Sequence, residues 1–467
     1  MAIDPASRSR LVPWLIALGL LLLGGTVVQE WSAQPASRYL LTVAAVDDHS
    51  LELDPYEDLL IIDRAEYRGH TYSDKAPYQP LLVAPAYQLF RAAGGDPFPY
   101  GDDGGPDVVD AGRFPGLWWV TTWSSLVPAI ALTLIVRRTV AQVHPRLATP
   151  VAIAMTAGTT ILPFASWLFG HVLAAMWVAL AWHLLRPADR SVAATLGAGL
   201  CLGMGIGTEY AVAAIAAIFL IDVLWARDLP RIAALCIGTV VAILPMLVYN
   251  WLVFENPLET SYQGHLPNFQ GEGALGVYNL ELPRGVEVVK LFVGDRGMFV
   301  LTPVLLLAVV GGVLLLERRG ANRRDGVIGL VSLAVMVLIS TGIDGYGGGS
   351  PGPRYLIPML PLLALPLAEV WQRFGRVCAL AAGVGGVCMW LASVTEPLID
   401  TDSKGAMSLW TQLLADGEVA VNVITGRPDT WVFLVTGALA VVAFAAAARL
   451  DRASAPAPPA QHDQHIQ

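Results

Sequence analysis

Long apolar stretches recur along almost the whole sequence, and they restrict what the chain can fold into. A helix of about 20 apolar residues crosses the roughly 30 Å hydrocarbon core of a bilayer, where only helices and closed barrels satisfy their backbone. The 467 residues are 55% hydrophobic and 14% charged, whereas soluble domains have about 25% charged residues. The sequence therefore predicts an all-α integral membrane protein, a multi-span helical bundle.

The apolar stretches predict about twelve transmembrane helices. Their expected ranges are 11–29, 114–136, 147–165, 166–185, 191–208, 210–226, 231–253, 298–316, 326–343, 355–371, 376–393 and 431–448. The main bundle then covers residues 114–449, and residues 1–10 precede the first span. Residues 450–467 form a tail rich in Pro, Ala, Gln and His, and we expect it to be disordered.

Arginines indicate the orientation of this predicted bundle. If Arg8 and Arg10 are cytoplasmic, every even-numbered gap between spans also carries arginine, whereas the short odd-numbered gaps are nearly free of Lys and Arg. This is the positive-inside pattern. It predicts that both termini are cytoplasmic and that four longer segments face outward. These segments are 30–113, 254–297, 344–354 and 394–430.

The first outward segment, residues 30–113, is a polar insert between the first two predicted spans. It has 15 acidic residues against 6 basic ones. Residues 78–93 within it are apolar but too short to span, and Pro80 and Pro85 interrupt them. We therefore expect a short interfacial helix there. It would hold the preceding run, Tyr72–Pro77, at the height of lipid head groups.

Further polar residues gather at the predicted outer side of the bundle. Arg354 is an interfacial cation that could bind a phosphate with its planar guanidinium, or simply extend to lipid phosphates. Glu209 and His171 are ionisable residues at span ends, which are often functional but can also pair structurally. Their coincidence on one face indicates a site. The four cysteines all lie within spans and indicate neither a disulfide framework nor a zinc site.

Three short segments resemble one family. The spacing of Gly69, Tyr72, Lys75 and Pro77, the run 352–358 (Gly-Pro-Arg-Tyr-Leu-Ile-Pro) and the stretch 256–260 (Asn-Pro-Leu-Glu-Thr) are similar to the GT-C glycosyltransferases. The likeness is to the protein O-mannosyltransferase and aminoarabinose-transferase-like branch, which includes many bacterial members. A multi-span bundle with a long first outer loop fits the same family.

The resemblance implies a membrane glycosyltransferase of the bacterial cytoplasmic membrane. Such enzymes take a sugar from a polyprenyl-phosphate carrier on the outer face and pass it to a hydroxyl, usually with inversion. The acceptor is a glycan, a lipid or a protein of the cell envelope. No metal is obligatory in this branch, although a role for a divalent cation stays open. Nothing in the sequence indicates nucleic-acid binding.

The resemblance also implies roles for particular residues. Lys75 is expected to contact the donor phosphate, with Arg354 as a second contact. Other candidates for the donor site or its pocket are Tyr72, Arg296, His70, Glu209, Tyr210, His171 and Tyr355.

The catalytic base is the point where the sequence departs from the family. The family usually carries an acidic pair just before an Arg-Tyr, but here Pro-Ala-Ser precedes Arg38 and Tyr39. We expect another acid to serve, because a carboxylate must take the proton of the acceptor hydroxyl. Asp63 and Asp74 are the candidates. Asp63 follows an apolar run that could raise its pKa, and an alternative for Asp74 is an ion pair with Lys75. Further candidates behind them are Asp47, Asp48 and Glu30.

Two other functions compete with glycosyl transfer. A transporter or flippase of lipid-linked sugars would also be a multi-span protein, but such proteins often show inverted repeats and polar groups near the midplane. The sequence shows no such symmetry. The missing acidic pair leaves a non-catalytic scaffold for envelope synthesis as the other alternative.

Overall fold

The protein is almost entirely helical, and the predicted all-α membrane class is confirmed. The computed structural model describes residues 5–100, 106, 108, 114–187, 190–263, 265–267, 282–342, 349–399 and 405–454. The α-helices are α1 (Pro5–Leu23), α2 (Ala33–Val43), α3 (Tyr78–Ala92), α4 (Pro115–Thr121), α5 (Val127–Ala141), α6 (Ala148–Ala157), α7 (Ile161–Ala165), α8 (His171–Leu185), α9 (Val192–Thr208), α10 (Val212–Trp225), α11 (Leu229–Phe254), α12 (Gly285–Val293), α13 (Met298–Leu301), α14 (Val304–Leu316), α15 (Ala321–Gly342), α16 (Ala364–Val394), α17 (Ala406–Asp416) and α18 (Thr430–Ser454). Short 3-10 or π-helical segments lie at Ala44–Asp48, Asp54–Leu59, Thr122–Leu126, Pro145–Leu147 and Arg354–Leu363.

The strands form two small antiparallel pairs. They are β1 (Val27–Val28), β2 (Ala65–Tyr67), β3 (His70–Tyr72) and β4 (Val421–Asn422). In one pair Val27 of β1 lies opposite Asn422 of β4, and in the other β2 and β3 form a hairpin within the insert. The hairpin turns at Arg68 and Gly69, which have φ of +52° and +85°, a left-handed conformation that suits two-residue hairpin loops.

The predicted count of about twelve long spans is wrong. Among the described residues, five helices are long and apolar enough to cross a membrane, or six if a pair bent by 99° counts as one broken span. The five are Pro115–Ala141, Leu229–Phe254, Ala321–Gly342, Arg354–Val394 and Thr430–Ser454, and the bent pair is Gly285–Leu301 with Val304–Leu316. Four shorter apolar helices accompany them: Arg10–Leu23, His171–Leu185, Val192–Thr208 and Val212–Trp225.

Short helices, one merged pair and breaks explain the difference. Four predicted spans are helices of 10–17 residues, and the predicted spans 355–371 and 376–393 form one helix of 41 residues. Two other apolar stretches are broken. The stretch 147–165 is divided at Gly158, where the φ and ψ angles of −95° and 7° end α6 before α7 begins. The stretch 298–316 is divided at Thr302, with φ −133° and ψ 67°, which precedes Pro303. Proline lacks a backbone N–H and disfavours helical angles in the residue before it. Hydropathy counts apolar residues and does not register such breaks.

Small residues let α9 and α11 pack closely. A Cβ atom at Gly199 would lie 2.3 Å from the carbonyl oxygen of Leu235, and one at Gly238 would lie 2.3 Å from that of Leu196. Close backbone approach through small residues is the usual way in which membrane helices pack.

The insert has its own aromatic core and is attached firmly to the bundle. Tyr39 is fully buried and makes edge-on ring contacts with Tyr87 and Phe114. The predicted helix at 78–93 is present as α3, and its height in the membrane stays a prediction. At its start the Tyr78 hydroxyl donates to the Ala242 carbonyl and accepts from the Met246 N–H. Tyr78 thereby replaces a helical hydrogen bond of α11 beside Pro245.

The C-terminal helix extends further than predicted. α18 continues through Ser454, so residues 450–454 are helical rather than disordered. The rest of the predicted tail, residues 455–467, lies outside the described residues.

Candidate active site

Lys75 and the two candidate bases form one buried ionic group. The Lys75 Nζ lies 2.6 Å from the Asp74 Oδ2 and 3.0 Å from the Asp63 Oδ2. Asp74 is 1%, Asp63 6% and Lys75 7% exposed. β3 ends at Tyr72, so the hairpin delivers Asp74 and Lys75 to the start of α3. The predicted proximity of Asp74 and Lys75 as an ion pair is confirmed in geometry, and Asp63 joins them.

Hydroxyl groups hold Asp74 from both sides. The Ser37 Oγ donates to the Asp74 Oδ1 at 3.1 Å, and the Ser261 Oγ donates to the Asp74 carbonyl oxygen at 2.6 Å. Burial raises the pKa of Asp74 to about 6, although the Lys75 ammonium opposes that rise. Burial is the largest single influence on Lys75 and disfavours its cation, but Asp74, Tyr262 and Asp63 together outweigh it and raise the pKa of Lys75. Lys75 is therefore charged, while Asp74 titrates near neutral pH.

A second buried group surrounds Glu209. The Arg38 Nη2 lies 2.7 Å from the Glu209 Oε1, and the His171 Nδ1 lies 3.6 Å from the same oxygen. Gly170, at the start of α8, leaves room for this carboxylate, since a Cβ there would approach it to 2.4 Å. The Arg38 Nε and Nη1 and both ring nitrogens of His171 are buried without a hydrogen-bond partner among the described residues.

Arg354 forms no close ion pair with a carboxylate among the described residues, although Asp63 and Glu209 are near enough to interact with it electrostatically. Its guanidinium lies over the rings of Phe169 and Tyr355, with centroid distances of 5.4 and 5.3 Å. Its Nε is buried without a hydrogen-bond partner. The Tyr355 ring in turn contacts His171 at 5.8 Å. Gly352, at φ +98°, turns the chain just before Arg354, and a Cβ there would meet Thr160.

Buried donors without partners are rare in native proteins. An unpaired buried polar group costs roughly 1–3 kcal/mol, and more when it is charged. The unpartnered nitrogens of Arg38, His171 and Arg354 therefore indicate a place that binds an anionic ligand or ordered water.

Of the other predicted site residues, some are buried within the protein, whereas His70 lies at the surface. Tyr72 is buried beside Phe254, Tyr210 makes an edge-on contact with Tyr262 at 6.1 Å, and the Arg296 Nη1 donates to the Ser350 carbonyl at 3.4 Å. His70 is exposed and hydrogen-bonded to Asp54 at 2.7 Å, so it does not join either buried group. His70, Asp54 and Glu52 place three ligand atoms within 4.8 Å of one another, and the expectation of no obligatory metal stays a prediction.

The reserve candidates for the base lie elsewhere. Asp47 pairs with Arg91 at 3.1 Å, Asp48 accepts from the Tyr56 hydroxyl at 2.7 Å, and Glu30 is exposed. None of the three contacts Lys75 among the described residues.

Sequence reasoning missed several residues of the site. From the sequence, Ser37 and Arg38 have no predicted role beyond their place in the family motif. Ser261 and Tyr262 are not among the predicted site residues. The signals were present: Arg38 carries the family's Arg-Tyr, and Ser261 directly follows the stretch 256–260.

We expect Glu209→Ala to destabilise the protein by about 3–5 kcal/mol, because it leaves the Arg38 charge buried and unpaired. Arg38→Met combined with Glu209→Leu should recover most of this loss. Thermal unfolding in detergent measures both changes. Glu66→Ala is the matched control, since it breaks an exposed pair with Arg64 worth about 0–1 kcal/mol. Equal shifts for Glu209→Ala and Glu66→Ala would contradict a buried ionic role for Glu209.

The apolar helices define a helical, membrane-embedded protein. The structure is similar to that of ArnT from Cupriavidus metallidurans bound to undecaprenyl phosphate, with a TM-score of 0.55 and 13% identity over 95% of this chain and 77% of that one. The predicted resemblance is thus confirmed at the level of the fold.

Archaeal oligosaccharyltransferase structures are more distant. AglB from Archaeoglobus fulgidus, in complex with an inhibitory peptide and a dolichol-phosphate, has a TM-score of 0.45 and 14% identity over 98% of this chain. This chain spans 56% of that protein. No protein-family profile and no curated protein matches the sequence.

Proposed function

We propose that the protein is a glycosyltransferase that moves a sugar from a polyprenyl-phosphate carrier to an acceptor hydroxyl, with inversion, in cell-envelope synthesis. The observation that carries the proposal is the buried group of Asp74, Asp63 and Lys75, in which Asp74 has a pKa raised to about 6, together with Arg354, a cation that forms no close ion pair with a described carboxylate. The fold shared with ArnT, whose structure holds undecaprenyl phosphate, supports it. We also propose the topology that the arginines predict, in which the insert lies on the outer side of a bacterial cytoplasmic membrane.

Asp74 is the proposed base. The acceptor oxygen attacks the anomeric carbon of the sugar as the bond from that carbon to the phosphate oxygen breaks. The bonding electrons leave with the phosphate, and the acceptor proton passes to Asp74. A base acts best when its pKa lies near the working pH, and a pKa of about 6 meets this requirement.

The contact with Ser37 favours Asp74 over Asp63. The family resemblance places an acid just before Arg38 and Tyr39, where this chain has Ser37. Since the Ser37 Oγ donates to the Asp74 carboxylate at 3.1 Å, Asp74 brings a carboxylate to that neighbourhood from a different segment. Asp63 then serves to hold Lys75.

Arg354 is the proposed principal contact of the donor phosphate. A cation near the leaving phosphate stabilises its developing charge, and Arg354 forms no close ion pair with a described carboxylate, interacting with Asp63 and Glu209 only at longer range. Lys75 has two carboxylate partners. An ammonium has three donors, so Lys75 can offer its third to the same phosphate. This reverses the order of importance expected from sequence.

The direct test uses purified protein with a polyprenyl-phosphate sugar and a range of glycan, lipid and peptide acceptors. We expect protein-dependent release of polyprenyl phosphate together with a glycosylated acceptor. Movement of labelled carrier lipid across liposomes without sugar transfer would instead favour the transporter.

The rate should depend on pH in a defined direction. Burial raises the pKa of Asp74 to about 6, and the base acts only when it is deprotonated. We therefore expect kcat/KM to rise as the pH increases through about 6 and then to level off. A rate that is flat between pH 5 and pH 7 would contradict Asp74 as the base.

A further inference from the structure

A buried tyrosine hydroxyl without a hydrogen-bond partner lies within electrostatic range of Asp74. Tyr249, in the last turns of α11, is 4% exposed, and its hydroxyl makes no hydrogen bond with the described residues. Asn250, the next residue, is 1% exposed and donates from Nδ2 to the Pro257 carbonyl at 3.3 Å, which leaves its Oδ1 unpartnered. Two unpartnered polar atoms at one helix end, both fully buried, indicate a ligand.

Tyrosines surround this place. Tyr249 is near enough to Asp74, Tyr72 and Tyr210 to interact with them electrostatically. Tyr210 contacts Tyr262 edge-on at 6.1 Å, and Tyr262 interacts with both Asp74 and Lys75. Three tyrosines, Tyr210, Tyr249 and Tyr262, thus lie within electrostatic range of the proposed base, and two of them are in ring contact.

The chemistry beside Tyr249 differs from that around Arg354. The groups that interact with Tyr249 itself are an acid and two phenols, whereas Tyr210 and Tyr262 also interact with the cations Arg38 and Lys75. A phosphate would therefore be poorly accommodated beside Tyr249. A ring with many hydroxyl groups fits, because its hydroxyls pair with buried polar atoms and its C–H faces pack on aromatic rings. Specific pockets generally combine an apolar aromatic lining with a few placed polar groups.

We propose that Tyr249, with Tyr210 and Tyr262, forms a subsite for a neutral sugar ring beside Asp74, distinct from the phosphate contact at Arg354. This inference rests on the proposed function, because it assigns the part of the same site that recognises sugar. The ring is either the sugar of the donor or a sugar of the acceptor, and both present the same hydroxyl chemistry.

The test compares Tyr249→Phe with the wild type in binding measurements that require no turnover. The probes are bare polyprenyl phosphate, polyprenyl-phosphate mannose, glucose, galactose and arabinose, and the octyl glycosides of the same sugars. We expect the wild type to bind at least one sugar-bearing probe better than its bare counterpart. Tyr249→Phe should lower the affinity for that probe about fivefold to tenfold, the effect of losing one hydrogen bond. The affinity for bare polyprenyl phosphate should stay unchanged.

The class of probe that loses affinity shows whether the sugar bound at Tyr249 belongs to the donor or to the acceptor. A lower affinity for the carrier-linked sugars places the donor sugar at Tyr249. A lower affinity for the octyl glycosides places the acceptor sugar there. Tyr56→Phe is the matched control, since it removes a hydroxyl that bonds Asp48 away from the site. Equal affinities of Tyr249→Phe and the wild type for every probe, or no sugar preference in the wild type, would overturn the inference.

Stability separates this role from a structural one. Because the Tyr249 hydroxyl is buried without a partner, its removal should leave the unfolding temperature unchanged or higher. A lower temperature would show that the hydroxyl serves the fold. Failure of the wild type to bind bare polyprenyl phosphate would defeat the proposed function, whereas octyl glycoside binding that depends on Tyr249 would survive it.

Discussion

Replacement of Asp74 by Asn should lower the rate of sugar transfer by about 10²–10⁴-fold, the usual contribution of a positioned base. The amide is nearly isosteric and can still accept from the Ser37 hydroxyl, but it cannot take a proton. Lys75 keeps Asp63 as a partner at 3.0 Å, so the ammonium is not left unpaired. The loss should therefore appear in kcat, with donor affinity close to that of the wild type.

Asp63→Asn provides the comparison within the same ionic group. It also removes one carboxylate from Lys75, but Asp74 stays in place at 2.6 Å. We expect a much smaller loss, about tenfold or less, since only positioning is affected. Asp47→Asn is a control for removing an acid of the insert, because Asp47 pairs with Arg91 away from the site. Wild-type turnover by both Asp63→Asn and Asp74→Asn would show that neither is the base.

The class of the fold could be predicted from the sequence because it depends on composition. A chain that is 55% hydrophobic, with apolar stretches throughout, can satisfy its backbone in lipid only as helices. The number of continuous spans could not be predicted from the sequence, since it depends on breaks such as those at Gly158 and at Thr302–Pro303. Whether a break ends a helix is decided by the neighbours that pack against it, as the carbonyl oxygen of Ala382 does near Gly158.

The site was predictable where its residues are adjacent in sequence. Asp74 and Lys75 are neighbours, so their pairing could be foreseen. Arg38 and Glu209 are 171 positions apart, and only the fold brings them together. The contact between Ser37 and Asp74 likewise joins α2 to the hairpin. In the proposed mechanism, this contact brings a carboxylate to the place where the resemblance predicts an acid, which no linear motif could show.

The number of carboxylates that pair with each candidate cation could also be seen only in the structure. From sequence Lys75 was the strongest phosphate contact, because it belongs to the best motif. The structure shows two carboxylates in ion pairs with its ammonium, whereas Arg354 forms no close ion pair with a described carboxylate. A cation that is already neutralised attracts an anion less strongly than one that is not.

Arg354→Met should lower kcat/KM by about 10²–10³-fold, comparable to the removal of one donor that stabilises a developing charge. Methionine is flexible and apolar, so it can pack between Phe169 and Tyr355, where the guanidinium lies. The fold should therefore be retained, while the departing phosphate loses its principal cation. Binding of bare polyprenyl phosphate should weaken as well, which direct titration measures.

Arg354→Lys distinguishes a phosphate contact from a cation that merely extends to lipid head groups. Lysine keeps the charge but loses the planar, forked set of donors and the stacking, so we expect it to retain only part of the activity. An arginine at the lipid surface would tolerate this change with little effect. Arg68→Met is the matched control, since Arg68 is an exposed arginine of the insert that pairs with Glu255. Turnover and carrier binding by Arg354→Met that equal those of Arg68→Met would remove Arg354 from the mechanism and return Lys75 to the role of sole phosphate contact.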